Sequence, residues 1–324
     1  MLYFLQFSIW LTARKCCIID AVTHIIQNMV SITKKHVGNN IYFYLGHTYR
    51  SYSKIKKIEK YLGKEIPKNI EELKKRFIFE IYKEKWFKIF EKIKEGYKKE
   101  NKLMPPSAKE KEMENFMVKF TYNTQRIEGS KLTLKDTANL LERGITPKEK
   151  PLRDIKEAEA NKKVFYEMLK YKKDLSLQIV LYWHKKLFWD TKEDIAGKIR
   201  EHGIQISRSK FIPPTPIELQ ILLKEFFDWY NQNKNKLSAV ELSTLVHLKF
   251  VTIHPFSDGN GRISRLMMNF VLHKYGFPML DIPYEKRTGY YNALERSQVK
   301  NNELIFLQWF FKRYAESQKR YLKI

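Results

Sequence analysis

Along most of the chain the apolar positions recur at helical spacing. In 69–101 they fall at Leu73, Phe77, Ile81, Phe87, Phe90 and Ile93, which predicts one long helix. Met104-Pro105-Pro106-Ser107 breaks it. A second helix from about Ala108 sets Phe116, Phe120, Asn123 and Ile127 on one face and stops at Gly129, a left-handed cap. Thr133 and Asp136 are spaced as a capping box opening a helix through Leu141, which Gly144 ends. Further helical patterns cover about 153–172, 176–189, 216–233, 238–253, 262–275, 287–300 and 302–320. Two segments depart from this period. Residues 203–211 alternate and run into Pro213-Pro214, which predicts a β-hairpin. Residues 41–45 and 48–52 are rich in β-formers, with turns expected at Gly38-Asn39 and Gly46-His47. Residues 54–62 read as a third strand or the start of a helix, closed by Gly63. Residues 29–63 are thus a small β-meander, marginal alone and expected to dock on the helical part of the chain. The fold class is mainly α.

Composition narrows the picture. The 324 residues allow one large domain or two unequal ones, and 43% apolar with 14% aromatic residues argues against disorder. The formal charge of +25 comes mainly from lysines interleaved with glutamates along helical stretches, a pattern of solvated helix faces. A basic face that recruits nucleic acid or an acidic protein is the other reading. The cysteines are adjacent, Cys16 and Cys17, so no disulfide framework and no Cys/His metal spacing exists; a reducing cytoplasmic location is expected. The apolar opening run is too short to span a bilayer, and Arg14 and Lys15 come after it rather than before it as in a secretory signal. No membrane role is expected, and residues 1–28 read as sequence upstream of a start at Met29.

The chemistry concentrates in His254-Pro255-Phe256-Ser257-Asp258-Gly259-Asn260-Gly261-Arg262. An apolar helix ends at His254 because Pro255 blocks its continuation. Gly259 and Gly261 let backbone N–H groups turn inward ahead of a new helix N-terminus, which makes an anion site. Arg262 adds a guanidinium fork for phosphate, Asp258 a hard oxygen ligand for Mg²⁺, and His254 a base that works near neutral pH. The segment resembles the Fic family motif HPFx[D/E]GNGR at every specified position, a match that chance would supply about once in 10¹⁰.

The resemblance implies a Fic-type helical bundle over 108–324, with the hairpin 203–211 as its flap and 64–107 as a helical linker to the meander. It also implies a protein adenylyltransferase that moves AMP from ATP to a Ser, Thr or Tyr hydroxyl. His254 would deprotonate the hydroxyl and Asp258 would hold Mg²⁺. Gly259, Asn260 and Gly261 would line the anion hole, and Arg262 would grip the β-phosphate. Phe256 would pack inward and pin the loop. The target would pair along the flap, where His202 and Arg208 lie within reach of it. In Tyr290-Tyr291-Asn292-Ala293-Leu294, Tyr291 and Leu294 would border adenine, although both tyrosines read equally well as core. Gln298 stands where relatives often carry Asn. His184 and His247 read as core histidines. Thr124-Gln125-Arg126-Ile127-Glu128-Gly129 resembles the family's inhibitory motif on a helix spanning about 108–129. Glu128 would pair with Arg265 and hinder ATP, or else form a purely structural ion pair; in some relatives this glutamate also supports AMP removal. A Fic-fold transferase using another donor and a non-catalytic nucleotide- or nucleic-acid-binding regulator are the competing classes. The intact Gly259–Arg262 run and the lack of a winged helix after Arg287 weigh against them. Self-modification and a homodimer stay open.

Overall fold

The computed structural model describes residues 30–51, 54–207 and 209–323. The readings of 1–28, Cys16, Cys17 and Arg208 lie outside these residues. The first unit ends at Lys88 and the second comprises Ile89–Ile324.

The first unit contains a three-stranded antiparallel sheet, β1 (Val30–Val37), β2 (Asn40–Ser51) and β3 (Lys54–Gly63), in that order. The 54–62 alternative resolves as a strand. The turn expected at Gly38-Asn39 is present, with Gly38 at φ +59°, but Gly46-His47 is no turn. Strand β2 runs straight through it, pairing Gly46 with Ser31 on one side and Glu59 on the other. Both residues are buried there, and a strand laddered on both edges overrides the local preference of Gly-His for a bend.

Helix α1 (Ile70–Leu103) runs through the division between the units. After it come α2 (Pro106–Ile127), α3 (Leu134–Arg143), α4 (Leu152–Lys170), α5 (Leu177–Phe188), α6 (Pro216–Asn233), α7 (Ala239–Ile253), α8 (Asn260–Lys274), α9 (Arg287–Val299) and α10 (Glu303–Ser317). Local chemistry starts and stops several of them where expected. Asp136 N–H donates to Thr133 Oγ1 at 3.1 Å while Thr133 N–H donates to the Asp136 carboxylate at 2.9 Å, closing the capping box. Gly144 ends α3 in the left-handed region.

Helices α7 and α8 are the centre of the second unit. Almost every residue of both is buried, so neither has a solvent face, and each must be surrounded. Helices α6 and α10 pack on α7, while α2, α4 and α5 pack on α8. The reversal between α7 and α8 is the 254–259 loop, which therefore sits on a rigid support. The flap differs from expectation. Among its described residues no strand ladder forms, only a turn in which Ser209 N–H donates to Ile206 C=O at 3.1 Å. A two-stranded hairpin without a third strand or a covering face has little to hold it.

No helix among the described residues is long and apolar enough to cross a membrane.

Gly96, buried on α1, meets the backbone of Tyr321: a Cβ would lie 3.0 Å from its carbonyl carbon and 3.1 Å from its Cα. Gly→Ala inside a helix ordinarily gains about 1 kcal/mol. Here the clash is with backbone, which cannot swing away, so Gly96→Ala should instead destabilise by about 1–3 kcal/mol. A urea midpoint lower than that of the wild type is expected; a higher one would contradict this packing.

Candidate active site

The loop begins with strain. His254 has φ +53° and ψ +56°, a left-handed conformation that costs a side-chain-bearing residue on the order of 1 kcal/mol. Pro255 excludes the helical alternative. Three bonds hold the position. His254 N–H donates to Phe250 C=O at 3.1 Å, His254 Nδ1 lies 3.0 Å from Val251 C=O, and His254 C=O accepts from Arg200 Nε at 2.9 Å. A carbonyl only accepts, so Nδ1 carries the proton and the neutral ring presents its lone pair at Nε2. Burial pushes the imidazole pKa below its ordinary 6.5, with Arg200 acting in the same direction, so His254 is an unprotonated base at neutral pH.

The rest of the loop is clamped from inside. The Asn260 side chain grips its own loop: Oδ1 accepts from Phe256 N–H at 2.9 Å and Nδ2 donates to Phe256 C=O at 2.7 Å. Phe256, 1% exposed, stacks on His184 with ring centres 3.8 Å apart. It packs inward against the core and leaves almost no surface open to a ligand. His184 is a core histidine with an added task. Its Nδ1 accepts from Gly197 N–H and its Nε2 lies on Asp258 C=O, both at 2.9 Å, and burial lowers its pKa to about 4. Gly259, at φ +85°, has the Phe188 ring directly against its Cα, so no side chain fits. The turn leads into the N-terminus of α8, whose first-turn N–H groups and dipole favour an anion.

Charged side chains surround that N-terminus. Arg262, 4% exposed, pairs with Glu157, donates to Gln125 Oε1 at 3.2 Å and to Asp258 at 3.1 Å, and lies over the Phe188 ring. Its Nε is buried with no hydrogen-bond partner. Burial alone would raise the Asp258 pKa, but Arg262, Lys192 and the Gly259 N–H bring it to about 2. Asp258 is therefore an anion at any working pH, a third of it open to solvent, with Lys192 as its second ion-pair partner. No group of three or more His, Cys, Asp or Glu side chains that could hold a metal gathers among the described residues. A Mg²⁺ fits here only as nucleotide-bound metal sharing one carboxylate, which is how Mg²⁺ is usually held.

Arg265, one turn further along α8 and 2% exposed, meets the end of α2. Its Nε donates to Thr124 Oγ1 at 2.8 Å, and Nη2 donates to Thr124 C=O at 3.1 Å and to Glu128 Oε1 at 2.6 Å. Behind it Tyr290 OH lies 3.4 Å from Nη1 and 2.9 Å from His247 Nε2. Burial opposes the Arg265 charge, but Tyr290 and Glu128 hold its pKa above the ordinary value. Glu128 caps α2 and Gly129, at φ +101°, turns the chain away. The Glu128 carboxylate then lies directly against Gly261, at the N-terminus of α8.

Residues 174–272 match the Fic/DOC family. The chain carries a Fic domain. A protein adenylyltransferase, fic-1, of Caenorhabditis elegans is 29% identical over 228 residues, 68% of this chain and 44% of that protein. The protein adenylyltransferase Fic of Drosophila willistoni is 32% identical over 178 residues, 54% of this chain and 35% of that protein. The chain thus matches less than half the length of these relatives. A Fic-domain-containing signaling protein from Bacteroides thetaiotaomicron superimposes with a TM-score of 0.63 at 29% identity, covering 72% of this chain and 96% of that one. Fic-1 of C. elegans shares the fold, with a TM-score of 0.67 at 24% identity, covering 80% of this chain and 78% of that one.

The residues expected to border adenine are less united than the loop. Tyr290 is core, at 1% exposure, whereas Tyr291 is half-exposed and its OH donates to Ile127 C=O at 3.3 Å. Leu294 is buried. Gln298 donates to Thr252 Oγ1 at 3.2 Å and lines a cavity of about 330 Å³ with Thr252, Ile253 and Trp229. Neither Tyr291 nor Leu294 lines that cavity.

Sequence reasoning missed Arg200, Gln125, Glu157 and Lys192. Asp154, Glu157 and Asn161 recur along one face of α4 and are all buried, so a polar stripe at core spacing was the available signal. Arg200, 3% exposed, also donates to His202 C=O at 2.8 Å and Pro214 C=O at 2.6 Å, while its N–H donates to Pro255 C=O at 2.9 Å. One guanidinium therefore ties both ends of the flap to the His254 carbonyl.

The buried rings should titrate unusually in NMR of histidine ring protons. His247 is lowered to about 3 by burial, then by Arg265, and His184 to about 4. His254 should titrate below 6.5. Since the unfolded chain binds these protons first, stability should fall as pH drops from 6.5 towards 4. A His254 transition above 6.5 would contradict the neutral-base assignment.

Proposed function

We propose that this chain is a protein adenylyltransferase that transfers AMP from ATP to a Ser, Thr or Tyr hydroxyl of a protein target, and that Glu128 restrains it. The observation that carries this reading is the pairing of a neutral His254 with a buried, arginine-flanked helix N-terminus six residues on. The adenylyltransferase activity named for the worm and fly relatives supports the same reaction.

The triphosphate lies along the cradle of Gly259, Asn260 and Gly261, with the Arg262 guanidinium gripping the β-phosphate. Asp258 would hold Mg²⁺, which would neutralise phosphate charge. The target hydroxyl gives its proton to His254 Nε2 as its oxygen bonds to the α-phosphorus. The bond from that phosphorus to the bridging oxygen of the β-phosphate breaks, and pyrophosphate leaves. No covalent enzyme intermediate is needed; positioning and charge stabilisation supply the rate. The target lies along 203–211, and Arg200 holds that segment in register with the base. Residues 108–324 form the working domain.

Glu128 blocks this by two physical effects. Its carboxylate sits on the cradle beside Gly261, where a phosphate would meet like charge, and it occupies Arg265, the next cation along α8.

Wild type, Glu128→Gly and Glu128→Gly/His254→Ala are incubated with Mg²⁺ and ATP labelled at the α- or γ-phosphate. Covalent label on protein should come from the α-phosphate only. It should rise at least tenfold with the first change and vanish with the second. Label from the γ-phosphate, or none with lysate proteins offered as targets, would overturn the proposal. In the released variant the acid limb of the rate should lie below pH 6.5, the direction in which the His254 environment moves its pKa.

A further inference from the structure

The composition of the N-terminal sheet is unlike the rest of the chain. Residues 30–64 carry seven lysines and one arginine against a single glutamate, Glu59. Pairing sorts the described side chains onto two faces. Ile32 lies opposite Leu45, Val30 opposite His47, and His47 in turn opposite Ile58. Leu45 and His47 are buried, and His47 reaches Tyr82 of α1, so this face is covered.

The other face is aromatic and basic. Tyr44 lies opposite Tyr61, and Tyr42 opposite Lys35. The three tyrosines form one cluster, with the Tyr61 ring centre 5.3 Å from that of Tyr44 and 6.0 Å from that of Tyr42. Tyr61 is 53% exposed. Lys35 sits over the Tyr44 ring at 4.6 Å and Lys64 over Tyr42 at 6.0 Å. Glu59 is held between Lys35 and Lys57, so the face keeps a positive surplus with its acid neutralised. A large exposed aromatic on a strand usually has an apolar neighbour to cover it. Here Tyr61 meets only the rings of Tyr42 and Tyr44 among the ring contacts of the described residues on this face, and the ammonium groups of Lys35 and Lys64 sit over those two rings, where they attract anions.

We propose that this face binds single-stranded nucleic acid, with bases stacking on Tyr61 and its neighbouring tyrosines and phosphates paired by Lys35, Lys57 and Lys64. Charge complementarity selects a polyanion. The aromatic cluster selects a strand whose bases are free to stack, since paired bases are already stacked on each other. An acidic protein segment would satisfy the lysines and leave the rings unused. The proposal is independent of AMP transfer.

Fluorescence anisotropy with the full chain tests it, using fluorescein-labelled U15 RNA, dT15 DNA and a 15-base-pair DNA duplex, with a poly-glutamate peptide as competitor. Single strands of either sugar should bind more tightly than duplex, and poly-glutamate should compete poorly. Tyr61→Ala should weaken single-strand binding about tenfold or more, whereas Tyr61→Phe should keep it within about twofold. Lys35→Gln/Lys57→Gln should lower the salt-dependence slope by roughly 1 to 1.5. Far-UV circular dichroism checks folding; if Tyr61→Ala unfolds, the lysine pair decides. Absence of binding, equal affinity for duplex or poly-glutamate, or a folded Tyr61→Ala that binds like wild type would each overturn the proposal.

Discussion

Two guanidiniums buried one turn apart on α8, at a helix N-terminus that is already positive, set the constraint on which the second unit depends. Such charge is tolerable inside a protein only when it is paired and hydrogen-bonded. Helix α4 brings Glu157 to Arg262, the loop brings Asp258, and α2 brings Thr124 and Glu128 to Arg265. The packing of α2 and α4 against α8 is therefore electrostatic as well as apolar.

The same constraint distinguishes the two carboxylates that meet these arginines. Glu157 approaches Arg262 from the buried side and leaves the loop open. Glu128 approaches Arg265 across the cradle, and about a quarter of its side chain is solvent-accessible. Arg265 also has Thr124 and Tyr290, so losing Glu128 strips away one partner of several. The buried cation would therefore stay hydrogen-bonded if the Glu128 carboxylate moved away, as the restraint proposed for Glu128 requires.

Arg200 plays the complementary part on the other side of the loop. Its side-chain donors go to the carbonyls of His254, His202 and Pro214. The flap makes no ladder of its own among the described residues. What order it has comes from its anchored ends and from Lys210 N–H donating to Glu295 at 3.1 Å. A segment anchored at both ends, with no strand ladder among its described residues, suits the added strand proposed for the target.

What the sequence determined by itself is the part ruled by local physics. Helical periodicity placed the elements of the second unit within a few residues. The Thr133–Asp136 box and Gly144 marked α3, and nine consecutive residues carried the base, the anion nest and the cation. The inward role of Phe256 was legible because a large aromatic between Pro255 and the glycines has only the core to enter. Tertiary structure alone decided what depends on partners far along the chain. Gly46-His47 reads as a turn until strands ladder on both edges of β2. The 203–211 alternation reads as a hairpin until nothing is found to support a lone pair of strands. Gln125, Glu157 and Arg200 look like ordinary helix and loop residues because their partners lie 137, 105 and 54 positions away. Desolvation, which turns those partners into a site, exists only once the chain has packed.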